Sequence, residues 1–328
     1  MSKLPSDVKR EVLIRAQDMT DPSHGCEPNK RSIHEHLRLG IINLDKPVGP
    51  TSHEIVAWVK RVLKIRRAGH GGTLDPKVSG VLPTALEDAT KIVQTLLPAG
   101  KEYICVMHLH GDVPDHKLEQ VLHEFEGEIY QRPPLRAAVK RVLRTRKIYY
   151  IELLEREGRD VLMRVGCAAG TYMRKLMYDV GEALGCGAHM RELRRTRTGP
   201  FREDDTLVKL QDLADAYAFW SEDGDEKHLR KVILPVEAAV EHLPKLVVRD
   251  GAVDALCHGA SLAAPGVLQV DTGISQDNLV ALMTLKGEVV ALARASMTSK
   301  QIYEAEHGIV AKPERVVMSP GTYPRKWK

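Results

Sequence analysis

The chain has 328 residues, of which 43% are hydrophobic and 28% charged, a balance that excludes a disordered or fibrous protein and leaves room for a large core and a smaller one. Aromatic residues make up only 5%, which argues against an aromatic platform for stacking single strands. The net charge of +4 is too small to mark a nucleic-acid binder by itself, so the grouping of charge carries the information.

Residues 1–40 are polar and weakly patterned and read as an extension packing on the outside of a domain. The start lacks the apolar core of a signal peptide, and no later apolar run is long enough to cross a bilayer, so an intracellular protein without a membrane partner is expected. The five cysteines, at positions 26, 105, 167, 186 and 257, show no Cys-x-x-Cys pairing or secreted-framework spacing and are expected to be reduced thiols. His24, Cys26, His34 and His36 fit no standard zinc spacing, so no metal is expected.

From Gly40, the run GIINLDK predicts a short strand. Thr51 and Glu54 form a capping box opening a helix whose Ile55, Val59, Val62 and Leu63 share one face. A basic loop with Arg66 and Arg67 follows, then the string GHGGTLDPKVSGVLP. A helix through Ile92 and Leu96 is expected to stop at Pro98, and EYICVMHLHG alternates as a strand. His108 and His110 lie on one side of that strand, where filling a half-buried sheet face is the expected role rather than metal binding. Leu118, Val121, Leu122 and Phe125 predict an amphipathic helix closed by Gly127.

After Pro133 and Pro134, two strand-like runs flank a turn from Arg156 to Arg159, as in a hairpin. GTYMRKLMYDVGEAL predicts a helix and MRELRRTRTGPF a strand with a basic side. An acidic insert at Glu222, Asp223, Asp225 and Glu226 precedes a short helix and connector. The alternation implies an α+β fold built on a large mixed, mostly antiparallel sheet flanked by helices. From Lys245 a helix ending at Gly259, a turn at Pro265 and Gly266 and a hairpin turning at Lys286 and Gly287 fit a small β-barrel. The working division is 1–40, 41–244 and 245–328.

Two arginine-rich runs stand out. Arg136, Lys140, Arg141, Arg144, Arg146 and Lys147 form one; Arg191, Arg194, Arg195, Arg197 and Arg202 form the other. Their placement inside patterned strands favours contact with phosphates. Asp75 is unusual for its setting, an acid in a glycine-rich loop where backbone approaches a ligand closely. A carboxylate among cations stays ionised at neutral pH, the state a nucleophile or base requires.

The string GHGGTLDPKVSGVLP resembles the catalytic motif of the TruB-type pseudouridine synthases, most closely in its dyskerin form. The resemblance continues through KEYICVMHLHG, GTYMRKLMYDVGEALG, MRELRRTRTGPF and a C-terminal segment similar to a PUA domain. It implies a pseudouridine synthase fold with Asp75 as the catalytic aspartate, carried on a loop that includes His70, Gly71, Gly72, Thr73 and Leu74. Tyr103 is similar to the tyrosine that stacks on the target base, Tyr172 to the second aromatic, Arg174 to the arginine pairing with the aspartate, and Leu193 to the apolar residue closing the pocket. A uridine in helical RNA must be flipped out, and the pocket must return its stacking energy. Whether the aspartate attacks the ribose, adds to the ring or removes a ribose proton stays open. No cofactor is implied, since nothing is oxidised or transferred away.

The dyskerin likeness further implies a box H/ACA guide RNA that selects the uridine in a substrate RNA, and small protein subunits of the same particle. Arg66, Arg67, Arg141, Arg144, Arg146, Lys147 and Arg195 are the expected RNA-contacting cations. The PUA-like segment would grip the guide's lower stem and ACA end, with Gly259, Ala260, Pro265 and Gly266 framing the contact loop. The absence of a long lysine-rich tail points to an archaeal-type, cytoplasmic protein, nucleolar only if eukaryotic. A guide-independent tRNA synthase and a non-catalytic RNA scaffold are the alternatives.

Overall fold

A computed structural model describes residues 3–133 and 140–325; Pro134 and Arg136 lie outside them. Two sheets organise the chain. The larger has ten strands, eight of them in the spatial order Leu234–Pro235, Gly40–Lys46, Ser79–Leu86, Ala188–Thr198, Lys101–Leu109, Asp160–Cys167, Arg144–Glu157 and Gly127–Gln131. Every pairing is antiparallel except the short contact of Ser79–Leu86 with Ala188–Thr198. The expectation of a mixed, mostly antiparallel sheet therefore holds.

Strand Gly40–Lys46 is buried almost throughout: Ile41, Ile42 and Leu44 fill the core, and the buried Asn43 amide donates to the Arg202 carbonyl and the Thr206 hydroxyl. Helix Ser52–Leu63 begins at the Thr51–Glu54 capping box and turns Ile55, Val59 and Leu63 onto the core of one sheet region. Helices Asp115–Glu124 and Met173–Leu184 cover another region of the sheet, burying Leu118, Val121, Leu176, Met177 and Val180 against Met107, Val161 and Met163. Tyr103 and Leu193 pack against both cores, so the seam between them runs through the middle strands.

Three elements differ from expectation. Residues Glu87–Thr95 form a 3-10 helix, not an α-helix; Ala89, Ile92 and Thr95 are its buried residues, a spacing of three that this tighter helix puts on one face. Its Thr90 and Thr95 hydroxyls donate to the carbonyls three residues back. Gly127 does not close the preceding helix but opens the edge strand Gly127–Gln131, which the pattern had hidden. The acidic insert belongs to two helices, Leu210–Asp223 and Glu226–Val232, joined at Gly224.

The smaller sheet has seven strands around one core that includes Leu246, Val267, Val290 and Val310, with Val253 and Leu256 of helix Asp250–Cys257 and Ile302 of Ser299–Glu304 packed into it. One of its strands is Val12–Ile14, which pairs antiparallel with Val267–Asp271. Arg15 then reaches into the sheet and donates to the carbonyls of Ala264, Val267 and Ala305.

His242 sits near the junction of these parts, its ring Nε2 3.3 Å from the Thr95 carbonyl. Burial pulls its imidazole down to about 4, so the folded ring is neutral where the unfolded one, near 6.5, is taking up a proton. Between those values the unfolded state binds more protons, and stability falls as the pH drops from 6.5 toward 4. His242→Asn should remove roughly 1 to 2 kcal/mol of this acid sensitivity. Urea midpoints measured across that window would show it as a flatter slope; an unchanged slope refutes it.

Candidate functional site

Strands Ala68–His70 and Ser79–Leu86 pair through His70↔Thr84, Gly69↔Ala85 and Ala68↔Leu86, and the residues between them form the loop that carries Asp75. The loop is pinned along its length. The Gly71 amide donates to the Pro83 carbonyl at 2.8 Å, the Gly49 amide to Pro76 at 2.8 Å, and the Val78 amide to the Asp75 carbonyl at 3.0 Å. Leu74 drops its side chain into the core beside Ile55 and Val59. The buried Ser52 hydroxyl accepts from the Leu74 amide at 2.8 Å and donates to the Leu74 carbonyl at 3.0 Å. His70 is half-buried, edge-on to His53; burial, then His53, pull its pKa down, and its Nδ1 accepts from the Gly72 amide at 3.3 Å.

Beneath the loop lies Lys46, fully buried, its ammonium donating to the carbonyls of Val78 at 2.8 Å and Pro47 at 2.9 Å. Burial lowers its pKa, and the negative charge of Asp75 opposes that shift. Sequence reasoning passed over Lys46 and Ser52. A lysine at the end of a short apolar strand was the available signal for the first; nothing marked the serine.

Arg174 projects from the first turn of helix Met173–Leu184, its Nη2 3.5 Å from Asp75 Oδ2. The two side chains are 64% and 65% exposed. The pair therefore faces solvent and is not a buried charge pair. Tyr172 is the residue before that helix and is half-buried. Tyr103 and Leu193 stand on neighbouring strands, where Tyr103 pairs with Arg195 and Cys105 with Leu193, so the two share a face of the sheet. Burial raises the Tyr103 pKa, Arg195 pulls against it, and the phenol stays neutral.

Arg195, expected to contact RNA, is 1% exposed. Its Nε donates to the Val81 carbonyl at 2.8 Å and its Nη2 to the Gly72 carbonyl at 3.0 Å. This cation braces the site from inside. The rest of its run is spent on carboxylates: Arg191 on Asp160, Arg194 on Asp45 and Glu203, Arg197 on Asp7 and, at 4.0 Å, Arg202 on Asp204. The expected basic side of that strand is a set of cross-links.

In the other group Arg66, Arg67, Arg141 and Lys147 are exposed, while Arg144 and Arg146 are half-buried. Arg67 pairs with Asp88 at 2.7 Å, and Arg146 donates to the Gly170 carbonyl at 2.9 Å, two residues before Tyr172. Gly259, Ala260 and Pro265 are exposed and Gly266 half-buried, flanking the two-residue strand Leu262–Ala263 of the smaller sheet. His108 bonds to Asp160 at 2.6 Å, and His110 to His189 at 2.8 Å. Among the described residues no group of three or more His, Cys, Asp or Glu is placed to hold a metal, and no helix is long and apolar enough to cross a membrane.

Comparison with known proteins adds a second line of evidence. The chain matches the TruB family pseudouridylate synthase (N terminal domain) over residues 60–117 and 110–173, the tRNA pseudouridylate synthase B C-terminal domain over 174–241, the PUA domain over 244–317 and the DKCLD (NUC011) domain over 1–56. It is 62% identical to a probable tRNA pseudouridine synthase B of Methanopyrus kandleri, covering 99% of this chain and 96% of that one. Among solved structures it resembles a chain in the crystal structure of a Cbf5-Nop10-Gar1 complex, at a TM-score of 0.95 and 61% identity, covering 99% of each. It also resembles one in the structure of an H/ACA RNP bound to a substrate RNA containing 2'-deoxyuridine, at 0.94 and 59%, covering 99% of this chain and 100% of that one.

Proposed function

The chain belongs to the TruB family of pseudouridylate synthases, and on that footing we propose that it is the catalytic subunit of a box H/ACA particle, with Asp75 as its catalytic carboxylate. The observation that carries the reading is the juxtaposition of Asp75 and Arg174 on two rigidly held segments, an exposed acid and cation facing outward. A partner as large as RNA needs such an open site. The structural relatives bear the names of assemblies with Nop10, Gar1 and a substrate RNA, which supports small protein subunits, a guide RNA and a guide-paired substrate as partners here. A cytoplasmic location goes with that role.

In the reaction the bond from ribose C1′ to uracil N1 breaks, the base turns, and C1′ bonds to C5; a proton leaves C5 and one arrives at N1. The everted base loses its stacking neighbours. Tyr103 offers it an aromatic face, with Tyr172 and Leu193 as the remaining walls. Arg174 stands as a cation beside the Asp75 carboxylate and favours its ionised form. The loop residues His70, Gly71, Gly72, Thr73 and Leu74 hold Asp75 at the surface. Exposed Arg66, Arg67, Arg141 and Lys147, with Arg144 and Arg146, are the phosphate contacts, and Gly259, Ala260, Pro265 and Gly266 frame the contact of residues 245–328 with the guide.

Because the Asp75–Arg174 pair is exposed, it adds little to stability. Arg174→Ala should change unfolding free energy by less than about 1 kcal/mol while lowering the single-turnover rate about 100-fold. Loss of fold with the substitution would contradict this, as would an unchanged rate.

The curated relatives' name, tRNA pseudouridine synthase B, favours a second reading, action on tRNA without a guide. Purified protein with a tRNA transcript, with and without a matched guide RNA and the particle's other subunits, decides between them. Modification only in the guided mixture supports the first reading; full turnover by the protein alone supports the second.

A further inference from the structure

Gln131 ends the edge strand Gly127–Gln131 and is 1% exposed. Its terminal amide engages both backbone groups of Tyr172: Oε1 accepts from the Tyr172 amide at 2.9 Å, and Nε2 donates to the Tyr172 carbonyl at 3.2 Å. A side chain here reproduces the reciprocal exchange that two antiparallel strands make. Tyr172 occupies the N-cap position of helix Met173–Leu184 and provides no side-chain cap, so the entry to this helix is held from outside. Arg174 lies two residues further on.

At 3.5 Å, with both partners about two-thirds exposed, the attraction between Asp75 and Arg174 in high dielectric is about 1 kcal/mol. That is too weak to fix two flexible side chains against their own entropy. Their separation is set instead by the backbone beneath each. On the acid's side Ser52 clamps the amide and carbonyl of Leu74; on the cation's side Gln131 clamps those of Tyr172. Each clamp is made by a buried, uncharged side chain and grips the backbone one residue before Asp75 or two before Arg174. The turn before Tyr172 is also held by the Thr171 hydroxyl, which donates to the Ala168 carbonyl at 2.7 Å, and by an exposed bond from Arg146 to the Gly170 carbonyl, but neither reaches the Tyr172 backbone.

We propose that Gln131 is a positioning residue of the reaction: by fixing the Tyr172 backbone it sets where the Tyr172 ring and the Arg174 guanidinium stand relative to Asp75. The inference rests on the reading of Asp75 and Arg174 as the reacting site.

The test uses the full chain, assembled with guide RNA and the particle's other subunits, and follows single-turnover pseudouridine formation together with substrate-RNA affinity and thermal melting. Gln131→Ala should lower the rate about 30- to 100-fold, the scale of a misplacement near 1 Å, with RNA affinity unchanged. In an Arg174→Ala background the same substitution should cost little more, because the two act on one element. Gln131→Glu supplies a readout that a purely structural role would not move. A neutral carboxyl both accepts and donates as the amide does, whereas the ionised form cannot donate to the Tyr172 carbonyl. Burial favours the neutral form, so its rate relative to the unmodified protein should rise as the pH is lowered. Should Gln131→Ala fail to fold, this pH ratio carries the test alone. A full rate for Gln131→Ala, independent losses in the double variant, or a flat pH ratio for Gln131→Glu each overturns the proposal. With Asp75→Asn run alongside, an inactive Asp75→Asn beside a fully active Gln131→Ala removes only the positioning claim. An active Asp75→Asn removes the reading on which it stands.

Discussion

Asp75→Asn is expected to abolish pseudouridine formation, with a fall of at least ~10⁴-fold in single-turnover rate, while substrate RNA still binds. Shape is kept; the negative charge is lost. The carboxylate is two-thirds exposed and its ion-pair partner is the equally exposed Arg174, so the fold has little to lose, and unfolding free energy should move by no more than about 0.5 kcal/mol. The loop itself is held by backbone groups and by hydrogen bonds from Ser52 and Lys46 to the main chain of Leu74 and Val78, and the substitution leaves those bonds in place. Quantifying product by mass shift after chemical tagging, beside a binding titration and a melt, separates chemistry from folding. Turnover within tenfold of the unmodified protein would show that another group does the chemistry.

Gly80→Ala should be the most destabilising single methyl in the site's neighbourhood. Gly80 adopts φ +105°, and a Cβ there would stand 2.1 Å from the Arg195 carbonyl oxygen and 2.9 Å from the Arg195 amide nitrogen. Backbone, not a mobile side-chain end, is in the way. The close approach exists because Ser79 and Gly80 make the one parallel pairing of the large sheet, with Arg194 and Arg195. Adding backbone strain to enforced separation of two strands should cost about 3 kcal/mol or more. Equilibrium unfolding in denaturant measures it, and a loss under about 1 kcal/mol would mean the strands part easily. Since this pairing begins where the Asp75 loop ends, activity should fall even in the fraction that stays folded.

Much of the architecture is legible in the chain because hydrophobic period and end signals agree locally. The Thr51–Glu54 box, the Arg156 to Arg159 turn and the break at Gly259 each announce an element that the structure contains. Where local signals conflict, reading fails. Ile92 and Leu96 are four apart and suggest an α-helix, but hydroxyl bonds from Thr90 and Thr95 and the threefold spacing of Ala89, Ile92 and Thr95 belong to the tighter helix. At the site, the motif string singles out Asp75 and Arg174, and the structure sets them 3.5 Å apart. What the string could not convey is environment. Arg195 looks like its neighbours in an arginine run, yet it alone of them is fully buried, satisfied by carbonyls from a loop and a strand distant in sequence. Gln131 and Ser52 are ordinary polar residues whose importance depends on partners that only the fold supplies.

The strand Val12–Ile14 has a consequence for how the molecule is made. Glu11 bonds to Thr272, 261 positions away, so the leading segment leaves the ribosome long before its partner exists. Through most of synthesis it must wait unpaired, while the ten-stranded sheet assembles behind it. A polar stretch with few apolar side chains suits such a wait, because it offers little for premature association. Residues 11–14 thus settle only after residues 269–272 have emerged, and their docking reports that the strand they join is complete.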